Sequence, residues 1–358
     1  MIDDIEPVNL KNMSVDECRD FFKSIGEPAF RANQVLEWLY SCRADSYDDM
    51  TNLPLHLRET LSGRASLSRP KVLRKLKASD GTAKYLLELS DGGTVETVVM
   101  PHDYGISQCI STQVGCAMKC AFCASGQLGL IRNLELSEMV DQLLVSNGCL
   151  SGEERVSSLV LMGMGEPLAN YDNVMKFIRL ANWQKGFGIG WRHITLSTCG
   201  LVPQILKLAE EKLQITLSVS LHAPDDETRS AIMPVNRTYG INQLMAACRQ
   251  YADSTGRRVT YEYILLQGVN DSLRHADKLA GILKGSLSHV NLIPFNQVDR
   301  TDFRRPSEET VKDFYDELCS LGIDVTIRRE MGSDIDAACG QLRRRHIAAA
   351  MTSGGGNE

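Results

Sequence analysis

The stretch QCISTQVGCAMKCAFCASG, residues 108–126, carries an apolar, β-branched run into a loop that holds Cys116, Cys120 and Cys123 in the spacing C-x3-C-x2-C. A strand that delivers reactive side chains at its C-terminal end is the working unit of α/β barrels. The same unit recurs along the chain. The runs CISTQV, SSLVLMG, HITLST, ITLSVSLH, VTYEYILL, HVNLIPF and DVTIRR alternate with helical patterns near 136–147, 171–181, 202–211, 241–253, 273–284 and 307–320. Strands alternating with helices predict parallel βα units. Six or seven of them predict an α/β chain built as an open or closed (β/α) barrel, with its chemistry gathered at the strand C-termini. The cysteine loop, GMGEP at 163–167, Ser197 and SLH at 220–222 all follow such runs.

The first hundred residues read as a smaller accessory unit. Ser14 followed by Glu17 fits a capping box that opens a helix over 15–24. A second helical pattern covers about 29–41, and Pro54 opens a third over about 54–62. Short strands are expected at 71–77, 83–89 and 94–100, broken at SDGT and SDGG. The expected division is therefore 1–100 for a helical/β accessory unit, 101–346 for the barrel with a C-terminal cysteine loop, and 347–358 for a disordered tail. Between Gly63 and Lys77 stand six basic residues and no acid: Arg64, Arg69, Lys71, Arg74, Lys75 and Lys77. They read as a solvated face or as a surface that tracks phosphates. Arg328, Arg329, Arg343, Arg344 and Arg345 would extend it.

Composition narrows the classes. The chain has 358 residues, 43% apolar content and a net charge of −6. An acidic balance excludes a general nucleic-acid coat but leaves room for a local basic patch. No apolar run reaches the roughly 18 residues of a membrane span, and the N-terminal MIDDIEPVN lacks an apolar signal core. A cytoplasmic monomer is expected, in a reducing compartment where clustered cysteines point to metal or redox chemistry. A zinc site would want a fourth ligand, and no second C-x2-C knuckle exists. Three thiolates suit an iron–sulfur cubane that leaves one iron open to a small molecule.

With Phe122 before the last cysteine, the loop resembles the signature of the radical S-adenosylmethionine superfamily. That resemblance implies a partial (β/α)6-type barrel and one 4Fe–4S cluster per chain on Cys116, Cys120 and Cys123, with S-adenosylmethionine on the open iron. It also implies a one-electron donor such as a flavodoxin or ferredoxin. ISQCISTQVGCAMKCAFC, LMGMGEPLANYDNV, HITLSTCGLVP, SVSLHAPDDETRSAIMPVN, GVNDSLRHA and DIDAACGQL together resemble the RlmN/Cfr adenine methyltransferases, as does PAFRANQVLEWLY near the N-terminus. The likeness covers about residues 15–345.

It implies methylation of carbon 2 of an adenine in 23S ribosomal RNA, and of a transfer RNA adenine beside the anticodon, with two S-adenosylmethionine molecules used per turnover. The implied roles are Cys339 as methyl carrier, Cys109 as its transient disulfide partner and Glu96 as proton acceptor. Gly165, Glu166, Ser197, Ser220, Leu221, His222 and Asn296 match the cofactor contacts. Asn296 is followed here by Gln297, where the family commonly has proline. Cys199 reads as packing. A Cfr-type enzyme acting on carbon 8 is the rival within the family, and Pro167 favours the RlmN branch. A non-catalytic cluster protein is the rival outside it, with no need of Glu96, Cys109 and Cys339 together.

Overall fold

The structure is a computed structural model that describes residues 7–127, 129–296, 301–335, 341–343 and 346. Cys339, Gln297, Arg344, Arg345 and the tail expected over 347–358 lie outside the described residues. One ten-stranded sheet organises the chain. Its strands are β1 (Lys71–Lys77), β2 (Ala83–Glu88), β3 (Thr94–His102), β4 (Gly105–Cys109), β5 (Val156–Leu161), β6 (Ile194–Thr198), β7 (Thr216–Ser220), β8 (Val259–Leu265), β9 (Ser288–Pro294) and β10 (Val325–Ile327). They lie side by side in sequence order. From β4 to β10 every pairing is parallel. From β1 to β4 every pairing is antiparallel. The curved parallel part, with its helices outside, is the partial barrel expected from the sequence.

Eleven helices are described: α1 (Val15–Ser24), α2 (Phe30–Tyr40), α3 (Leu55–Arg64), α4 (Ala124–Gln127), α5 (Leu136–Gly148), α6 (Tyr171–Asn182), α7 (Val202–Glu210), α8 (Asp226–Ile232), α9 (Ile241–Thr255), α10 (Leu273–Leu283) and α11 (Glu308–Ser320). The capping box at Ser14 and Glu17 is present in both directions. The first parallel strand sits earlier than the run CISTQV suggests. It ends at Cys109, and the chain then leaves the sheet to make a small hairpin from Gln113–Gly115 and Leu130–Asn133. That hairpin brackets the cysteine loop. The strands expected near 71–100 join the barrel sheet itself, so hydrogen-bonded pairing runs without a break across residue 100.

Alternation along the parallel strands divides the sheet into two unlike faces. Leu196, Leu217, Val219, Tyr261, Tyr263, Val290 and Leu292 are buried in the apolar core. Thr195, Thr216, Ser218, Thr260, Glu262 and Asn291 alternate with them and line a cavity of about 1130 Å³ inside the barrel. Inside it, Glu262 accepts from Ser218 Oγ at 2.7 Å and from Asn291 Nδ2 at 2.9 Å.

The N-terminal helices pack on the outside, and their core residues Leu10, Phe22, Leu36 and Leu57 are continuous with those of α5 and α6. Tyr40 stacks on Phe187 with ring centroids 5.1 Å apart. Lys11, buried beneath this junction, donates to Asp141 on α5 and to the Ser68 carbonyl. Burial pushes the Asp141 carboxyl up to about 6 and lowers the Lys11 ammonium. Each charge is held in place by the other. Removing one partner of such a pair leaves a buried charge uncompensated, at a cost of about 3–5 kcal/mol. Lys11→Met is expected to lose about that much unfolding free energy in urea titration. Lys11→Met combined with Asp141→Leu is expected to recover most of it.

Candidate active site

The cysteine loop is pinned by its own backbone. Cys116 N–H donates to the Gly129 carbonyl at 3.0 Å, Cys123 N–H to Cys120 at 3.1 Å, and Ala121 N–H to Ile232 at 2.9 Å. Gly115 has φ +87°, and a Cβ there would lie 1.9 Å from the Gly129 carbonyl oxygen, so only glycine fits. The loop packs against Cys199, Ala223, Met233, Leu266 and Phe295. Burial pushes the Cys116 thiol up to about 11, with the Cys123 sulfur adding to the rise. Cys120 is raised further by burial and by both other sulfurs. Cys116 is buried and Cys120 and Cys123 are half-buried; sulfurs crowded in this way are relieved by a cation, and a coordinating thiol loses its proton outright.

Among the described residues, no three His, Cys, Asp or Glu side chains converge on one metal ion. A cluster whose ligands bind separate irons does not need that convergence. Ser125 Oγ, two residues beyond Cys123, is buried without a hydrogen-bond partner. An opening of about 480 Å³ reaches Cys120 between Lys119, Gln127 and Gly129. The donor set, the crowding and the orphaned hydroxyl together fit a three-thiolate iron–sulfur cluster.

The GMGEP segment lies directly on the chain that follows β4. Met164 N–H donates to Ser111 Oγ at 3.0 Å, and Glu166 N–H to Gln113 Oε1 at 2.8 Å. A Cβ at Gly165, where φ is +107°, would meet Gln113 Cβ at 2.6 Å. Packing against Gln113 is by itself enough to require glycine here. The Glu166 carboxylate is buried and accepts from Cys199 N–H at 2.7 Å and Leu168 N–H at 3.1 Å. Burial raises its pKa and the Cys199 amide opposes the rise. Glu166 thus ties the end of β5 to the end of β6, beside Ser197.

A residue unread in the sequence joins the next strand ends. Arg229 on α8 is fully buried. Its guanidinium donates to the carbonyls of Cys199 at 2.7 Å, Ser220 at 3.0 Å and Leu221 at 3.0 Å, and to Asn236 Oδ1 at 2.9 Å. Its fork geometry permits this, and a lysine could not match it. His222 has φ +59° and accepts from Ile264 N–H through Nδ1 at 3.0 Å. Its ring meets Phe122 of the cysteine loop edge-on at 4.9 Å. Ser220, Leu221 and His222 are thereby held against that loop. Asn296 is exposed on the cavity wall and accepts from Arg305 Nη1 at 3.0 Å.

Cys109 lines the same cavity and is 6% exposed. It pairs in register with Val98, two residues from Glu96 on the same face of β3. Glutamates at strand ends are ordinarily solvated, yet Glu96 is only 2% exposed. Its Oε2 lies 2.9 Å from Lys84 Nζ, and its Oε1 accepts from Arg343 N–H at 2.6 Å. Arg343, expected in a basic surface patch, is instead buried and donates through Nε to Thr94 Oγ1 at 3.1 Å. Arg328 and Arg329 are exposed at the rim of the cavity.

Comparison with known proteins follows these parts closely. Residues 8–67 match the ribosomal RNA large subunit methyltransferase N-terminal domain, and residues 110–280 match the radical SAM superfamily. A "Probable dual-specificity RNA methyltransferase RlmN" of Thermoanaerobacter sp. (strain X514) is 48% identical over 95% of this chain and 98% of its own. One of the same description from Bacillus thuringiensis (strain Al Hakam) is 50% identical over 94% of this chain and 93% of its own. The crystal structure of a radical SAM methyltransferase from Sphaerobacter thermophilus superposes with a TM-score of 0.89 at 44% identity, covering 94% of this chain and 99% of that one.

Two outcomes follow from this geometry. Burial and the nearby Arg229 lower the His222 imidazole to about 3 from 6.5. Below pH 6.5 the unfolded chain takes a proton there that the native chain refuses. Stability from this residue is complete above pH 6.5 and falls toward pH 3, by up to about 1.4 kcal/mol per pH unit. His222→Gln is expected to flatten that slope in acid unfolding curves. Arg229→Lys is expected to cost about 2–4 kcal/mol in urea titration, by leaving strand-end carbonyls unmet. Arg237→Lys on the exposed turn beyond α8 should cost less than about 0.5 kcal/mol.

Proposed function

The chain belongs to the RlmN family of radical S-adenosylmethionine RNA methyltransferases, and from that premise we propose that it methylates carbon 2 of an adenine in 23S ribosomal RNA and of an adenine beside the anticodon of transfer RNA. In this reading Cys116, Cys120 and Cys123 hold a 4Fe–4S cluster. Gly165, Glu166, Ser197, Ser220, Leu221, His222 and Asn296 hold S-adenosylmethionine. When bound, these groups supply one-electron chemistry, fed by a donor such as a flavodoxin or ferredoxin, that can alkylate an electron-poor ring carbon. Cys339 carries the methyl group to the adenine. Glu96 takes the proton from the carbon that receives it. Cys109 then attacks the Cys339 sulfur: the disulfide forms as the bond from that sulfur to the RNA-linked carbon breaks, and the carbon keeps the electron pair and takes up a proton to become the methyl group.

The observation that carries this reading is the shared face of β3 and β4. Glu96 and Cys109 lie there together, and Arg343, four residues after Cys339 in the chain, bonds to Glu96. In this reading the protein works as a monomer in the cytoplasm beside its RNA substrates. Among the described residues no helix is long and apolar enough to cross a membrane. Residues 1–100 form the accessory part in this reading and 101–346 the catalytic part. Lys71, Arg74, Lys75 and Lys77, all exposed on β1, would meet RNA phosphates, with Arg328 and Arg329 at the mouth of the barrel. The target adenine must leave its stack to enter that mouth.

The test uses anaerobically reconstituted protein with a reductant, S-adenosylmethionine and either a ribosomal RNA fragment or transfer RNA. Mass spectrometry of the digested RNA is expected to show 2-methyladenosine from both. An 8-methyl product would assign the Cfr-type reaction instead. Cys339→Ala is expected to yield no methyladenosine while still cleaving S-adenosylmethionine to 5′-deoxyadenosine. Normal methylation by that variant would refute the carrier role.

A further inference from the structure

Lys84 and Glu96 form an ion pair with almost no access to water, at 0% and 2% side-chain exposure. The pairing register places them on one face. Lys84 is opposite Val98 on β3, and Leu86 is opposite Glu96, so the pair is a diagonal cross-strand contact. Stability alone gives no account of it, because apolar replacements of buried ion pairs are often neutral or stabilising. A carboxylate that must present one oxygen to a substrate carbon needs its other oxygen held, and a buried ammonium at 2.9 Å does that.

We propose that Lys84 is the positioning residue of this active site: its ammonium holds Oε2 of Glu96 so that Oε1 alone takes the proton from the substrate carbon. The proposal rests on the reading of Glu96 as proton acceptor. In the transfer, the carbon–hydrogen bond breaks, its electron pair stays on the adenine, and the proton joins Oε1. That oxygen is now occupied by Arg343 N–H at 2.6 Å. The base is therefore engaged by the same C-terminal segment that carries Cys339. Oε1 must give up the Arg343 amide before it takes the proton, while Lys84 keeps Oε2 in place.

The mechanism places a covalent RNA–Cys339 species before proton removal, so a missing base stalls the protein there. Reconstituted Lys84→Met, Lys84→Gln and Glu96→Gln are compared with the parent. In each, methylation of Cys339 and the first equivalent of 5′-deoxyadenosine, formed in a single turnover before the stall, are expected to stay within about threefold of the parent. Release of methylated RNA is expected to fall about a hundredfold or more. RNA bound to protein should then accumulate as a slow band on a denaturing gel. If Glu96→Gln releases RNA normally, the proton-acceptor reading itself fails. If Glu96→Gln stalls while both Lys84 variants release RNA at the parental rate, only the Lys84 proposal fails. Loss of 5′-deoxyadenosine and Cys339 methylation in both Lys84 variants would make Lys84 purely structural and overturn the proposal.

Discussion

Parallel sheets ordinarily bury both faces under helices, and their strands read as continuous apolar runs. This sheet covers only one face that way. The other encloses a space large enough for a ligand, and its side chains must stay polar without being left unsatisfied. Threonine, serine and asparagine meet that demand with short side chains that can bond to one another or to a guest. Glu262 is the extreme case, a carboxylate inside the barrel with Ser218 and Asn291 as donors. Apolar burial on the outer face supplies the cohesion that lets the inner face remain open.

The strand ends around that space would splay without cross-links, because each runs into a separate loop. Two buried ionic side chains tie them. Glu166 spans β5 and β6 through backbone amides, and Arg229 spans β6 and β7 through backbone carbonyls. One offers acceptors and the other donors, so neighbouring ends are fixed with opposite polarity. Both reach Cys199, whose amide bonds to Glu166 and whose carbonyl bonds to Arg229. Cys199 also packs beside Cys120, consistent with a packing role for its thiol.

The barrel was legible because its two signals are local. Alternation in ITLSVS and VTYEY separates an apolar outer face from a polar inner one, and the intervening helices announce themselves by period. The cysteine spacing was equally local. Pairings between distant segments left no comparable mark. Nothing in 71–100 says that its strands continue the barrel sheet rather than fold beside it. Arg229 sits in a seven-residue helix, too short for a periodic signal, and its three carbonyl partners have no side-chain signature. Glu96 was marked only by the family resemblance, and its burial shows once Lys84, twelve positions earlier, is placed beside it. A lysine among the apolar residues of AKYLLE was the available sign that this strand faces something charged.

Strand β1 ends the sheet on one side and is exposed along nearly its whole length. The outer side of an edge strand of this kind is a template on which a second copy could add its own backbone. Lys71, Arg74, Lys75 and Lys77 place like charges along that edge, so two copies meeting there repel. The row proposed to greet an RNA backbone would thus also guard against self-assembly into fibres. Selection for solubility and selection for substrate capture would then act on the same four side chains, and a mutation that neutralises them would weaken both at once.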